Sequence, residues 1–181
     1  MNKIPLFFQG ISQIVGEEKM GLLILVDKEE QRQLTIPCDE EMLRQFDLRL
    51  SRMAVRNLML PEVLWQVISS QTDLHFEILI NDLIDELYRA ILYNTETLEP
   101  ISIRACDAVL LSHIGKVPLF IEERLMMRQS VPFVREATGV AMPLNALSDN
   151  MLKEALDKAV QNENYELASH LRDEILRRKQ R

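Results

Sequence analysis

The stretch LHFEILINDLIDELYRAILYN, residues 74–94, decides the fold class because it predicts two strands joined by a turn. Residues 74–82 and 87–94 are short runs rich in β-branched, aromatic and other apolar residues, as strands are. Ile84, Asp85 and Glu86 between them have the length of a hairpin turn, and aspartate is common in such turns for backbone reasons. The stretch therefore predicts an antiparallel β-hairpin.

The flanking sequence repeats strands and helices without a regular βαβ alternation. The predicted strands are residues 4–14, 21–27, 31–37, 100–104 and 118–122. The predicted helices are residues 39–51, a segment that begins at Pro61, residues 105–115 with Gly115 as the C-cap, and residues 123–128. This order predicts an α+β fold with a mixed, mainly antiparallel sheet built from hairpins and covered by helices.

The last part of the chain predicts a separate helical hairpin. Residues 134–147 contain Gly139 and Pro143 and form the expected linker between a domain at residues 1–133 and a tail at residues 148–181. In the tail, Leu152 and Leu156 begin one apolar helical face, and Tyr165 begins a second one after a polar break. Two helices joined by a short loop form an antiparallel pair. From the pattern alone, the pair is either a solvated end of the protein or a contact for a partner.

The charge distribution bears on nucleic-acid binding. The net charge of −7 lies on residues 1–147, because residues 148–181 carry seven basic and seven acidic side chains. An acidic protein repels nucleic acid at long range unless basic residues are grouped locally. Such a group occurs at residues 44–56, where Arg49, Arg52 and Arg56 are the candidate nucleic-acid-binding residues. The alternative is a solvated helix face.

The two cysteines, Cys38 and Cys106, are too few and too far apart in sequence for a disulfide framework. Free thiols fit a reducing compartment. The N-terminal stretch MNKIPLFFQG is a poor match to a signal peptide, and no apolar run is long enough to span a membrane. We therefore expect a cytoplasmic protein that has no contact with a membrane. The three histidines are not at ligand spacing, so we expect no histidine metal site.

The tail sequence ALDKAVQNENYELASHLRDEI, residues 155–175, resembles the UVR motif found in UvrB and UvrC of bacterial excision repair. In that family the motif is a protein–protein contact. The resemblance implies a protein partner bound through the hairpin. The implied partner-binding residues are Tyr165, Ala168, Leu171, Arg172 and Ile175.

The larger part of the chain resembles the bacterial bifunctional nuclease domain, which cleaves DNA and RNA. LLILVDKEEQRQLTIPCDEEM (residues 22–42) is similar to its first hairpin and the acid that follows, with Glu41 at the acidic position. ILINDLIDELYRAIL (residues 78–92) is similar to its ITDL-x-DG-x-FYA-x-L hairpin. ISIRACDAVLLSHIGKVPLFI (residues 101–121) is similar to IDARPSDAIALA and the PIYV strand.

The resemblance implies a phosphodiester hydrolase with Asp107, Arg104 and Glu41 as candidate catalytic residues. A divalent metal such as Mg²⁺ would be its cofactor if it cuts nucleic acid. Each residue also has a structural alternative, because the acids are common at helix starts and Arg104 can pair with Asp107. The chain departs from the family pattern at Ser102, Ala105, Cys106 and Glu86 and in VRNLMLPEVL (residues 55–64), which has no histidine.

Two functions follow from these features. The first is a nuclease with a protein-interaction tail, whose cleavage activity the departures put in question. The second is a non-catalytic adaptor or assembly protein that binds partners through the hairpin. The predicted strands also leave sheet edges that a second subunit would cover, so we expect a homo-oligomer.

Overall fold

The computed structural model describes residues 2–13, 20–51, 57–134 and 149–179. The strands are β1 (Lys3–Gln13), β2 (Met20–Asp27), β3 (Arg32–Asp39), β4 (Phe76–Ile84), β5 (Leu87–Asn94), β6 (Pro100–Arg104), β7 (Leu119–Glu122) and β8 (Val131–Pro132). The helices are α1 (Glu40–Leu50), α2 (Leu60–Gln71), α3 (Ala105–Gly115), α4 (Glu123–Gln129), α5 (Asp149–Gln161) and α6 (Tyr165–Lys179).

The strands form one sheet in the order β6-β5-β4-β7-β1-β2-β3-β8. Its described pairings are antiparallel except that β4 and β7 are parallel. The predicted class, an α+β fold with a mainly antiparallel sheet, is confirmed. Strand β8 lies just before the predicted linker and pairs with the start of β3, with Val131 opposite Gln33.

The hairpin predicted from residues 74–94 is the β4–β5 pair. Its turn is tighter than predicted, because Ile84 and Leu87 are paired and only Asp85 and Glu86 lie between them. Both turn residues have positive φ, 51° and 64°. Such a two-residue turn matches the right-handed twist of the strands. The register also shifts between Ile80 and Asp82, so β4 has a bulge at Asn81.

Helix α3 lies inside the curve of this sheet. It contacts β3 near one end of the strand order and β4 to β7 near the other, and Ala108 and Val109 are fully buried. The predicted glycine cap is wrong: Lys116 takes the left-handed conformation with φ 55°. Gly115 is instead the last helical residue, and the Trp65 ring lies against it, 2.4 Å from where a Cβ would stand.

The chain divides into two compact units, Met1–Ala141 and Met142–Arg181. The second unit contains α5 and α6, which pack against each other as the predicted helical hairpin, with Leu152, Ala159, Ala168 and Leu171 buried between them. Leu171, one of the implied partner-binding residues, is only 1% exposed. Apart from Val134, the predicted linker at residues 134–147 lies outside the described residues.

Candidate functional site

An open cleft of about 780 Å³ lies where the end of β3 faces β5, β6 and the start of α3. It is the place where the curved sheet brings both ends of its strand order to one helix. The polar and charged residues that line it are Asp39, Asn81, Glu86, Tyr88, Arg89, Ser102 and Arg104, together with the thiols of Cys38 and Cys106.

Arg104 is the N-cap residue of α3, and its guanidinium is held between two carboxylates. Its Nη2 donates to Asp107 Oδ1 at 3.1 Å and its Nε donates to Asp107 Oδ2. Its Nη1 lies 3.8 Å from Asp39 Oδ2, so the ion pair crosses from α3 to β3. The hydrogen bond to Asp107 is the main cause that raises the pKa of Arg104. The side chain is still 66% exposed, so it faces the cleft while it is anchored.

Asp39 has two roles at the opposite wall. Its Oδ1 accepts the Met42 N–H at 2.8 Å and so caps α1. Its Oδ2 faces Arg104. The ion pair with Arg104 depends on the approach of β3 to the start of α3, which is a tertiary contact that the local sequence pattern does not contain. Asp107 likewise lies in the first turn of α3, where a carboxylate is favoured by the helix dipole.

Arg89 is a cleft residue that the sequence did not single out. It lies directly opposite Arg104 in the antiparallel β5–β6 pair, so both side chains project from the same face of the sheet. Arg89 is exposed, and no hydrogen bond or ion pair of its side chain is found among the described residues. The signal that could have identified it is the hairpin register, which was not resolved by the strand pattern alone.

Two polar atoms are buried in the cleft wall without a partner. They are Tyr88 Oη and Asn81 Oδ1, and within the described part of the chain neither makes a hydrogen bond. Tyr88 is only 5% exposed, and burial raises its pKa. A buried polar group without a partner costs about 1–3 kcal/mol. Their place in the wall gives the cleft hydrogen-bonding capacity that the domain does not use.

The two thiols are unlike catalytic cysteines. Burial raises the pKa of Cys38 to about 12, with further contributions from Cys106 and Asp39. Burial also raises the pKa of Cys106, and the negative charge of Asp107 adds to it. A nucleophilic cysteine requires a lowered pKa. Both thiols are therefore protonated near neutral pH.

The other predicted site residues of the domain lie apart from the cleft. Glu41 is exposed on α1, where Gln45 donates to it at 2.9 Å and Arg44 pairs with it. The hydrogen bond from Gln45 is the main cause that lowers the pKa of Glu41. Arg49 is buried: its guanidinium binds both carboxylate oxygens of Glu62, at 2.7 and 2.9 Å, and also Gln45. Its donors are thus used inside the domain. Arg52 and Arg56 lie outside the described residues.

The described residues near the cleft supply only part of the ligand set that a metal ion needs. Among the described residues, no group of three or more His, Cys, Asp or Glu side chains could hold a metal. Asp39 lines the cleft and Asp107 lies beside it in α3, but both carboxylates face Arg104. Mg²⁺ is commonly held by one or two carboxylates plus substrate phosphate oxygens. The donors therefore fit an ion that arrives with a phosphate and do not form a site of their own.

The hairpin has a groove of its own, about 660 Å³, lined on α5 by Leu156 and Val160 and on α6 by Tyr165, Ala168 and Arg172. Tyr165 is 69% exposed. Leu171 is buried in the helix–helix seam, and Ile175 packs against it. Of the five predicted partner-binding residues, Tyr165, Ala168 and Arg172 line the groove, and Leu171 and Ile175 belong to the helix–helix seam. Within α6, Glu174 binds Arg178 four positions later and also Arg177, and Asp173 binds Arg172.

No described helix is long and apolar enough to cross a membrane. A sequence model of the bifunctional nuclease domain matches residues 23–133. A model of the UvrB/UvrC motif matches residues 150–180. No match was found among curated proteins. The first match covers more than half of the chain and includes every cleft-lining residue except Met20.

Proposed function

Because the chain belongs to the bifunctional nuclease domain family, we propose that it hydrolyses phosphodiester bonds of nucleic acid in the cleft beside Arg104. The observation that carries the proposal is the opposed pair of Arg89 and Arg104 on the wall of an open cleft. Arginine binds phosphate oxygens through paired N–H donors. Arg89 thereby takes the phosphate-binding role that the sequence suggested for Arg49.

The carboxylates complete the proposed chemistry. Water attacks phosphorus, its oxygen forms the new P–O bond, and the bond to the leaving sugar oxygen breaks. Asp39 Oδ2 accepts the proton of the attacking water, and the leaving oxygen takes a proton from solvent. Arg89 and Arg104 stabilise the charge that develops on the non-bridging oxygens. Asp107 is a positioning residue, because its contact is with Arg104.

A divalent ion such as Mg²⁺, held by Asp39 or Asp107 together with the phosphate, would supply further charge neutralisation. It would compete with Arg104 for the carboxylates, because both face the guanidinium. Cleavage is therefore to be compared in Mg²⁺, in Mn²⁺ and in a chelator.

The test is incubation of the purified full chain with end-labelled single-stranded DNA and RNA. Asp39→Asn and Arg104→Ala each lower cleavage by about 100-fold or more, the usual effect of removing a transition-state contact. Arg128→Ala is the matched control, because Arg128 is exposed on α4 and is not among the cleft residues. Cleavage that survives Asp39→Asn and Arg104→Ala at the wild-type rate would come from another site or from a contaminant.

A second candidate function is the non-catalytic adaptor. It is favoured by the double engagement of Arg104, which also serves to tie α3 to β3, and by the absence of histidine from the residues that line the described cleft. In that case no cleavage is seen with either nucleic acid under any metal condition. The variants then change stability and leave partner binding through the hairpin unchanged.

In both cases the UVR hairpin serves as a protein contact. We place its contact in the groove with Tyr165 and Arg172, since these side chains are exposed there. The cytoplasm suits this function, because its reducing conditions keep Cys38 and Cys106 as free thiols. Tyr165→Ala with Arg172→Ala removes the exposed contacts and keeps the buried seam. Partner capture that is unchanged in this variant would contradict the groove assignment.

A further inference from the structure

Helix α2 presents a stripe of apolar side chains to solvent and contacts the domain mainly through Glu62 and Trp65. None of its residues is buried, and the least exposed side chains are Glu62 and Trp65. Glu62 binds the buried Arg49, and the Trp65 ring lies against Gly115 and packs near Phe76. These contacts define the inner face. An ordinary surface helix has the opposite arrangement, with its apolar stripe toward the core.

The outward side is an uninterrupted apolar stripe. Leu60, Val63, Leu64 and Val67 recur at i, i+3, i+4 and i+7, so they lie along one side of the helix. They are 68%, 40%, 53% and 52% exposed. Leu58, 79% exposed, lies just before the helix. Leu60, Leu64 and Val67 are four and three residues apart, which is the spacing of side chains that face a partner helix in a helix–helix seam.

The size of the stripe is that of an interface. Five large side chains at these exposures form an apolar patch on the order of a few hundred Å², the size at which a patch on a monomer marks an interaction site. Two such patches facing each other would bury on the order of 1,000 Å² in total, about where specific protein–protein interfaces begin.

The charge of α2 indicates which class of partner its outer face can bind. The only charged residue of α2 is Glu62, and it is engaged with Arg49 on the inner face. The stripe therefore has no cations for nucleic acid or an anionic membrane, both of which require Lys or Arg. It also has no charge that would keep a second copy away. An uncharged Leu and Val stripe is complementary to itself, as a two-fold interface must be.

We infer that the outer face of α2 pairs with α2 of a second copy of this chain, forming a homodimer through Leu60, Val63, Leu64 and Val67. This surface is independent of the proposed nuclease activity: a chain that dimerises here without cutting nucleic acid would leave the inference intact. It also differs from the sheet-edge pairing expected from the sequence, because the contact is between helices.

The test is the mass of the full chain over a concentration series, by sedimentation equilibrium. The wild type is a dimer. Leu64→Glu with Val67→Glu and, separately, Leu64→Lys with Val67→Lys raise the dimer dissociation constant by about 100-fold or more, because like charges would be buried face to face. An equimolar mixture of the two variants returns to dimer mass. Met127→Glu is the matched control, since Met127 is an exposed apolar residue on α4, and it leaves the dimer unchanged.

Three results would overturn the inference: a monomeric wild type, Glu variants that keep the wild-type mass, and a mixture that stays monomeric. Glu variants that keep the wild-type mass would also be expected if two chains paired through their C-terminal hairpins. Loss of the helical circular dichroism signal in both charged variants counts against it as well, since that would mean the stripe packs within its own chain. Folding of both variants as monomers, with restoration in the mixture, is specific to self-pairing.

Discussion

Arg89 and Arg104 lie directly opposite each other on neighbouring antiparallel strands, with their side chains on one face of the sheet. Like charges directly opposite each other destabilise a sheet. Asp107 and Asp39 offset the charge of Arg104, whereas Arg89 has no such partner among the described residues. A phosphate bound between Arg89 and Arg104 would attract both guanidinium groups and offset their mutual repulsion. This attraction is the physical basis of the proposed site.

We expect Arg89→Ala to weaken binding of single-stranded nucleic acid by about tenfold or more, because a hydrogen bond to a charged group contributes about 1.5–3 kcal/mol. The dependence of log K on log salt concentration should become shallower by about one unit, as for the loss of one phosphate contact. Fluorescence anisotropy in a chelator, over a range of salt concentrations, measures both. Arg128→Ala is the control, and an Arg89→Ala slope equal to that of the control would rule out a phosphate contact.

The sequence predicted the parts of this site that depend on local pattern. The hairpin of residues 74–94, β6 and α3 follow from local composition, and Arg104 and Asp107 follow from the family resemblance. Arg89 required the register of β5 against β6. Register is set across strands, so a single strand pattern does not contain it.

Longer-range contacts explain the other differences. Ile78 to Ile80 pair in parallel with Leu119 to Ile121, and no local signal joins segments so far apart in sequence. Arg49 belonged to a basic window that suggested an exposed surface. Its burial depends on Glu62 of the next helix, which supplies both oxygens of its carboxylate.

Removal of the Tyr88 hydroxyl should stabilise the domain. Because Tyr88 Oη is buried and lacks a partner among the described residues, we expect Tyr88→Phe to raise the free energy of unfolding by about 1 kcal/mol and Tm by about 2–4 °C. Thermal denaturation followed by circular dichroism measures the shift. Tyr93→Phe should have the opposite sign, since Tyr93 Oη donates to Glu77 at 2.5 Å. If both changes lower Tm, the Tyr88 hydroxyl has a partner, such as a bound water.

Arg49 and Arg44 on the same helix should differ strongly in their effect on stability. We expect Arg49→Met to lower the free energy of unfolding by about 3–5 kcal/mol, because it leaves Glu62, only 15% exposed, without its partner. Arg44→Met removes an exposed pair with Glu41 and should cost at most about 1 kcal/mol. Urea denaturation of both variants measures the difference. Equal costs would indicate that Glu62 finds solvent or another donor when Arg49 is removed.

Gly115 should be required for the docking of α2. A Cβ at this position would stand 2.4 Å from Trp65 Cε2, and an aromatic ring has no flexible end that can move aside. Gly115→Ala gains about 1 kcal/mol of helix propensity, but overpacking of a filled site costs about 1–3 kcal/mol. We therefore expect a net loss of stability and a red shift of fluorescence, because Trp65 is the single tryptophan and becomes more exposed to water.

Gly10→Ala is the matched control for Gly115→Ala, because nothing lies within 4 Å of a Cβ at Gly10. It should leave the fluorescence of Trp65 unchanged. The same measurement bears on the dimer: if Trp65 holds α2 in place, Gly115→Ala also displaces the Leu64 and Val67 stripe and weakens self-association, although it touches no residue of that stripe. A Gly115→Ala variant with wild-type emission and wild-type dimer affinity would mean that α2 is held by the Arg49–Glu62 ion pair and not by the tryptophan.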